Sequence, residues 1–400
     1  MELAAQEVLL VGTLIVLSIL SKAALEHFNL PDLFGYLLIG VGLRIADATW
    51  ALMTPRGPEL LAFLAEFGVV ALLFRVGLEC NLKHLIQRLS GATVILLVNV
   101  AISLIAVLGT TLVLLNWSLL PSLFAAVALT ATGVGVSVRI WRNTDQLGSA
   151  KGALMLDVAE LDDLSGVVLL ALLAALAPQL QSGMSVDLIG PMALTLGYTL
   201  GKMALLMLGG LLFSQYLERP LTHRLHTLQP DPADTMISVL GVGLMVAGLT
   251  ALLGFSAAIG GFFAGLIFSR DPLSVKIDAS FDSLYDLFVP FFFVYIGVQL
   301  DLSILVDNLG PVLLLFVVAV VSKGLGAFLP VMNRLRPQSA LVFAIALIPR
   351  SEITLLIMKR GFDLGVVSQQ AFGVVVAVVV LTMVGAPLAL PLLSANVATK

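Results

Sequence analysis

Of 400 residues, 59% are hydrophobic and only 12% charged, against roughly a quarter charged in an ordinary soluble protein. That balance cannot clothe a water-soluble surface, and the net charge of −4 is uninformative because the position of each charge matters more than the sum. The single cysteine, Cys80, excludes an internal disulfide, and no Cys/His cluster has metal-ligand spacing. Neither a cofactor, a resident metal nor a nucleic-acid partner is expected.

Hydrophobic stretches recur from end to end, long enough to cross a hydrocarbon core of roughly 30 Å as helices. Thirteen spans are predicted, at approximately 5–25, 32–48, 59–79, 91–115, 119–140, 151–177, 188–216, 234–253, 256–269, 283–300, 310–332, 338–359 and 368–395. The expected class is an all-α integral membrane protein. The first span follows Met1-Glu2 without a basic n-region or an evident cleavage site, so it reads as a retained helix rather than a signal peptide.

The second span carries 35-GYLLIGVGL-43 and the third ends in 73-LFRVGLECNL-82. The fifth, 129-LTATGVGVSVRI-140, carries no charge before Arg139 but holds Thr130, Thr132, Gly133 and Gly135, which weaken a helix in mid-membrane. The sixth carries Asp157, Glu160, Asp162 and Asp163 in its apolar length, and the seventh a lone Lys202. The ninth and tenth repeat the earlier pattern as 260-GGFFAGLIF-268 and 293-FVYIGVQLDL-302. Lys323 lies halfway along the eleventh, and the twelfth reads 346-ALIPRSEITLLI-357, with Pro349 removing a backbone hydrogen bond beside Arg350 and Glu352.

The two halves therefore correspond at an offset of about 220 residues, spans 1–6 with 8–13 and span 7 as the linker. An odd number of crossings inverts the halves. Inverted repeats belong to secondary transporters, whose sites lie at the midplane where broken helices meet. With the N-terminus outside, thirteen Lys and Arg fall in cytoplasmic segments and four, Arg44, Arg56, Lys359 and Arg360, outside. That bias predicts a cytoplasmic C-terminus.

An ionisable group in the bilayer core is expected to face a partner or a water-filled cavity. Asp162 and Asp163 lie some eleven residues from Lys151, about halfway across. Adjacent helical residues point about 100° apart, so the two carboxylates cannot share one partner. One is expected to pair with Lys323 and the other to face a cavity, a set able to exchange protons. Arg350 and Glu352 read as counter-charges for opposed half-helix ends.

At these residues the chain resembles the bacterial monovalent cation/proton antiporters of the second cation/proton antiporter family, in particular the thirteen-helix sodium/proton exchangers. The matching pieces are 64-LAEFGVVALLFRVGLECNL-82, 129-LTATGVGVSVR-139, 158-VAELDDLSG-166, 254-GFSAAIGGFFAGL-266, 288-FVPFFFVYIGVQLDL-302, Lys323 and 348-IPRSE-352. The resemblance implies an inverted-repeat fold with two crossing broken helices. It also implies a homodimer with panel helices in 1–82 and 234–302, transport-core helices in 91–177 and 310–395, and a linker helix at 188–217. Carried onto this chain, Asp163 looks like the aspartate that binds the transported cation and protons in turn, and Asp162 like the partner of Lys323. Thr130 and Thr132 look like the unwound segment beside the ion. Three residues depart from the family pattern: Ser351 stands where glycine is common, Arg75 replaces an apolar residue, and Glu160 adds an acid that either enlarges the cation site or faces the cytoplasmic funnel.

The function expected is sodium/proton antiport by alternating access in the bacterial inner membrane, and electrogenic, because the paired aspartates with the lysine resemble the family's electrogenic members rather than the electroneutral ones with Asn-Asp. The nearest rival is potassium/proton exchange of the potassium-efflux type, although those relatives usually carry Gln-Asp at Asp162-Asp163. A non-transporting sensor and a channel are further alternatives. An enzyme would need a catalytic constellation, yet His27, His84, His223 and His226 all fall in connections.

Overall fold

A computed structural model of the chain describes residues 2–28, 30–79, 82–133, 150–181, 189–217, 232–268 and 274–394, with isolated positions between 220 and 227. All secondary structure among them is helical, as backbone groups without water must bond within their own segment. The helices are α1 (Glu2–His27), α2 (Asp32–Trp50), α3 (Gly57–Glu79), α4 (Leu82–Gly109), α5 (Leu119–Ala128), α6 (Ala150–Gln181), α7 (Ile189–Tyr216) and α8 (Pro232–Leu252). They continue with α9 (Ala257–Ile267), α10 (Ser274–Gln299), α11 (Leu302–Asp307), α12 (Leu309–Val331), α13 (Pro337–Ala346), α14 (Glu352–Asp363) and α15 (Gln369–Ser394). The protein is an all-helical, multi-span membrane protein.

Among the described residues, eight helices are long and apolar enough to cross a membrane unaided: α1 to α4, α6, α7, α10 and α12. Of the other predicted spans, the eighth and thirteenth are the 21-residue α8 and the 26-residue α15, and the rest are short or interrupted. The twelfth span is two helices, α13 and α14, because Pro349 has no amide hydrogen to donate and disfavours the helical conformation in the residue before it. The fifth ends as a helix at Ala128, and Thr130 to Gly133 leave the helical path. Its second half, Gly135 included, lies outside the described residues. The ninth is only the 11 residues of α9, about 16 Å of helix.

The chain divides into two compact units. One comprises Met1–His27, Asp32–His84 and Ala193–Gln299, so most of the predicted linker helix clusters with it. The other comprises Phe28–Pro31, Leu85–Met192 and Leu300–Lys400.

Within the first unit the repeated glycines meet one another. A methyl group added at Gly40 of α2 would lie 2.1 Å from the Val294 carbonyl oxygen of α10, and one at Gly297 would lie 2.3 Å from that of Leu37. The same exchange links α9 and α3: a methyl at Gly265 would lie 1.9 Å from the Phe74 carbonyl oxygen, and one at Gly77 would lie 2.2 Å from that of Phe262. The second helix of each half thus packs backbone to backbone on the third helix of the other half. Small residues allow this approach between membrane helices. Phenylalanines fill the remaining space, with Phe67 stacked on Phe288 at 5.7 Å and Phe74 beside Phe281 at 5.3 Å. Arg75 sits on this unit with its guanidinium 4.5 Å above the Tyr285 ring and 3.4 Å from Asp282.

Candidate functional site

The second unit holds the unwound end of α5 and the break between α13 and α14, and the two touch. The Gly133 amide donates to the Pro349 carbonyl at 2.8 Å. A methyl group at Gly133 would lie 2.6 Å from the Arg350 carbonyl oxygen, so only glycine permits this approach. The α14 end of the crossing is held by Ser351, whose hydroxyl caps the helix by accepting the Ile353 amide hydrogen at 3.2 Å.

Helix α6 passes beside both breaks. A methyl at Gly166 would come within 3.3 Å of Ile353 on α14 and 3.7 Å of Ala131 in the α5 break. One turn earlier stand the two aspartates, 0% exposed for Asp162 and 6% for Asp163. Lys323, fully buried on α12, places its ammonium 2.7 Å from Asp162 Oδ2 and also donates to the Thr130 carbonyl. The Thr132 hydroxyl donates to the same Asp162 oxygen at 2.6 Å. Asp162, Lys323, Thr130 and Thr132 thus form one dry, charge-neutral cluster, in which a charge-assisted pair takes up the carbonyl freed where α5 unwinds. The Thr130 hydroxyl turns away from it and donates to the Val127 carbonyl at 2.7 Å.

Asp163 faces a different set of groups. Its surroundings include the Ser351 side chain and the charge of Glu352. Its Oδ1 is buried and meets no hydrogen-bond donor. Asp162 Oδ1 is likewise buried without a donor among the described residues.

Glu352 occupies the first turn of α14 and is half-buried, where a negative charge complements the exposed amides of a helix N-terminus. Arg350 lies in the break itself with no exposed surface. Its Nη2 donates to the Ala319 carbonyl of α12 at 2.5 Å, while Nε and Nη1 meet no acceptor. Glu160 is half-buried, one turn before Asp163. Lys202 lies in the other unit, where its ammonium caps the α8 hairpin at the Leu253 carbonyl, 2.8 Å away, over the Tyr198 and Phe255 rings. No cluster of His, Cys, Asp and Glu suited to a metal occurs among the described residues.

Two features of the site are absent from the sequence reading. Ser351 faces Asp163, whereas the sequence marks it only as a departure from glycine. The signal present in the sequence was a helix start, serine followed by an acid and an apolar run after Pro349. The second is the Ala319 carbonyl as the partner of Arg350, which no side-chain pattern announces.

A sodium/hydrogen exchanger transmembrane profile matches residues 12–395. The high-affinity Na+/H+ antiporter NhaS3 of Synechocystis is 27% identical over 82% of this chain and 70% of its own. The Na+/H+-K+ antiporter GerN of Bacillus cereus is 24% identical over 89% of this chain and 88% of its own. The sodium proton antiporter MjNhaP1 from Methanocaldococcus jannaschii superimposes over 100% of both chains with a TM-score of 0.72 at 16% identity, which shows the fold. The chain belongs to the sodium/hydrogen exchanger family: it is a secondary transporter, and its activity is the antiport of a monovalent cation against protons.

Proposed function

We propose that this chain exchanges Na+ for H+ by alternating access at Asp163, with the Asp162–Lys323 pair as the coupled element that makes exchange electrogenic. The observation that carries this is the asymmetry of the adjacent aspartates: Asp162 is ion-paired with Lys323 and takes the Thr132 hydroxyl, while Asp163, also buried, has no ion pair among the described residues. A cation or a proton at Asp163 neutralises the remaining charge, so each stabilises the buried carboxylate and each excludes the other. That competition is the basis of antiport. When protons replace the cation, Asp162 and Lys323 can separate and a second charge can move.

Sodium is favoured by the paired aspartates and by the activity named for NhaS3. The name of GerN also includes K+, which makes K+ the alternative cargo. The division into two compact units supports a transport core in 91–177 and 310–395 and a separate panel in 1–82 and 234–302, and the family resemblance is the support for a homodimer formed by the panel helices. The distribution of Lys and Arg supports an N-terminus outside and a cytoplasmic C-terminus, and the resemblance to bacterial antiporters supports the bacterial inner membrane as the location.

The test is flux in proteoliposomes with an internal pH dye, adding Na+, K+ or Li+ in turn, with and without an imposed membrane potential. Sodium-driven proton movement that responds to the potential supports the proposal. Movement driven by K+ alone replaces Na+ as the cargo, and a rate indifferent to the potential removes the electrogenic coupling.

A further inference from the structure

One carbonyl oxygen of the α5 break, that of Thr130, is already in contact with a positive charge. The Thr130 carbonyl and Asp162 Oδ2 both receive the Lys323 ammonium, and the Thr132 hydroxyl is turned onto Asp162. A second cation placed among them would meet that ammonium at contact distance. Asp163 lies outside this cluster, one turn before Gly166, which packs against Ile353 in the first turn of α14, and the neutral hydroxyl beside it comes from the break in the other half, that of Ser351. Ser351 is fully buried, and its Oγ is fixed in place by the Ile353 amide hydrogen at 3.2 Å. A hydroxyl has one hydrogen and two lone pairs. One lone pair takes the amide, which leaves the hydrogen and the second lone pair available to Asp163 or to an ion bound there. The adjacent Glu352 offsets the partial positive charge of the α14 N-terminus, which would otherwise repel a cation there.

We infer that Ser351 is a specificity-determining residue whose hydroxyl oxygen joins the Asp163 carboxylate in binding the transported monovalent cation. The inference rests on the reading of Asp163 as the ion site. A hard cation takes oxygen ligands, and this hydroxyl suits both states of the cycle. Without the cation its hydrogen points to the carboxylate; with the cation its lone pair turns to the ion. Because the cap fixes the oxygen, the distance from Ser351 to Asp163 sets the size of ion that both can reach, and hence the preference among Na+, K+ and Li+.

The two duties of Ser351, cap and ligand, separate by substitution. Glycine is a fair N-cap and alanine a poor one, but neither has a hydroxyl. Apparent KM for Na+, K+ and Li+ would be measured in proteoliposomes for Ser351→Gly, Ser351→Ala and Ser351→Thr, with Asp163→Asn alongside. The expected result is an apparent KM for the preferred cation raised about tenfold in both the glycine and alanine variants at a near-constant maximal rate, which is the pattern of a lost binding contact. The ratio of KM values among the cations should change as well, and threonine should restore both. A wild-type KM and cation ratio in the glycine variant, whatever the alanine variant does, reduces Ser351 to a cap and overturns the inference, and with Asp163→Asn inactive it leaves the ion site standing. Full exchange in Asp163→Asn overturns the ion site and this inference together.

Discussion

Lys323 and Asp162 form an ion pair at 2.7 Å in which neither side chain reaches solvent, and the same ammonium holds the Thr130 carbonyl where α5 unwinds. One lysine therefore neutralises an aspartate on α6 and satisfies an unwound segment of α5, fixing three elements at a single point. Removing it would leave a carboxylate buried without its counter-charge and a backbone carbonyl without a donor.

Lys323→Ala should therefore destabilise the protein by about 3–5 kcal/mol, the range for breaking a buried pair from one side. The double variant Asp162→Asn with Lys323→Gln, which removes both charges, should recover part of that loss. Thermal unfolding in detergent measures both, and strictly additive effects would show that the two residues are not coupled. In proteoliposomes Lys323→Ala should also weaken the response of exchange to membrane potential.

Asp163→Asn should abolish cation-dependent proton movement while the protein still folds, because the amide cannot take up and release a proton as the carboxylate does. Everted vesicles with a pH dye report the activity, and size-exclusion chromatography in detergent the fold. If exchange persists, Glu160, half-buried one turn earlier on α6, is the acid to substitute next.

Gly133→Ala should impair transport and lower stability by roughly 1–3 kcal/mol, the usual cost of forcing an extra methyl into a packed interior. Its methyl would stand 2.6 Å from the Arg350 carbonyl, and backbone cannot swing aside as a side chain can. Thermal stability and exchange rate should fall together. A variant with wild-type values for both would mean that the crossing of the breaks is looser than this contact requires.

Gly40→Ala and Gly42→Ala form a matched pair two residues apart on α2. At Gly40 the methyl meets the Val294 carbonyl oxygen at 2.1 Å, while at Gly42 nothing lies within 4 Å. The first should lower stability by about 1–3 kcal/mol, seen as a fall in melting temperature, and the second should leave stability within about 0.5 kcal/mol. Equal effects would remove the backbone contact between α2 and α10 as a source of stability.

The membrane class, most of the spans and the depth of the charged residues follow from the sequence, because apolar length and the high cost of an intramembrane charge are properties of the chain itself. The repeated glycines were legible too, as a pattern of spacing. Their pairing was not: that Gly40 meets Gly297 and Gly265 meets Gly77 depends on four helices at once, and no local spacing encodes which face of one meets which face of another. The same limit applied at the site. Sequence alone establishes that Asp162 and Asp163 point in different directions, since neighbouring residues on a helix cannot share a partner. Which of them meets Lys323 is decided by the rotation of α6 against α12. That rotation is set by the packing of Gly166 on Ile353 and Ala131, and by the contact of the two breaks at Gly133 and Pro349. Ser351 shows the limit most clearly. Its local chemistry as a helix cap was written in the chain, but its approach to Asp163 exists only because the fold brings residues 188 positions apart to one buried point, where the desolvated carboxylate must find a neutral oxygen or an ion.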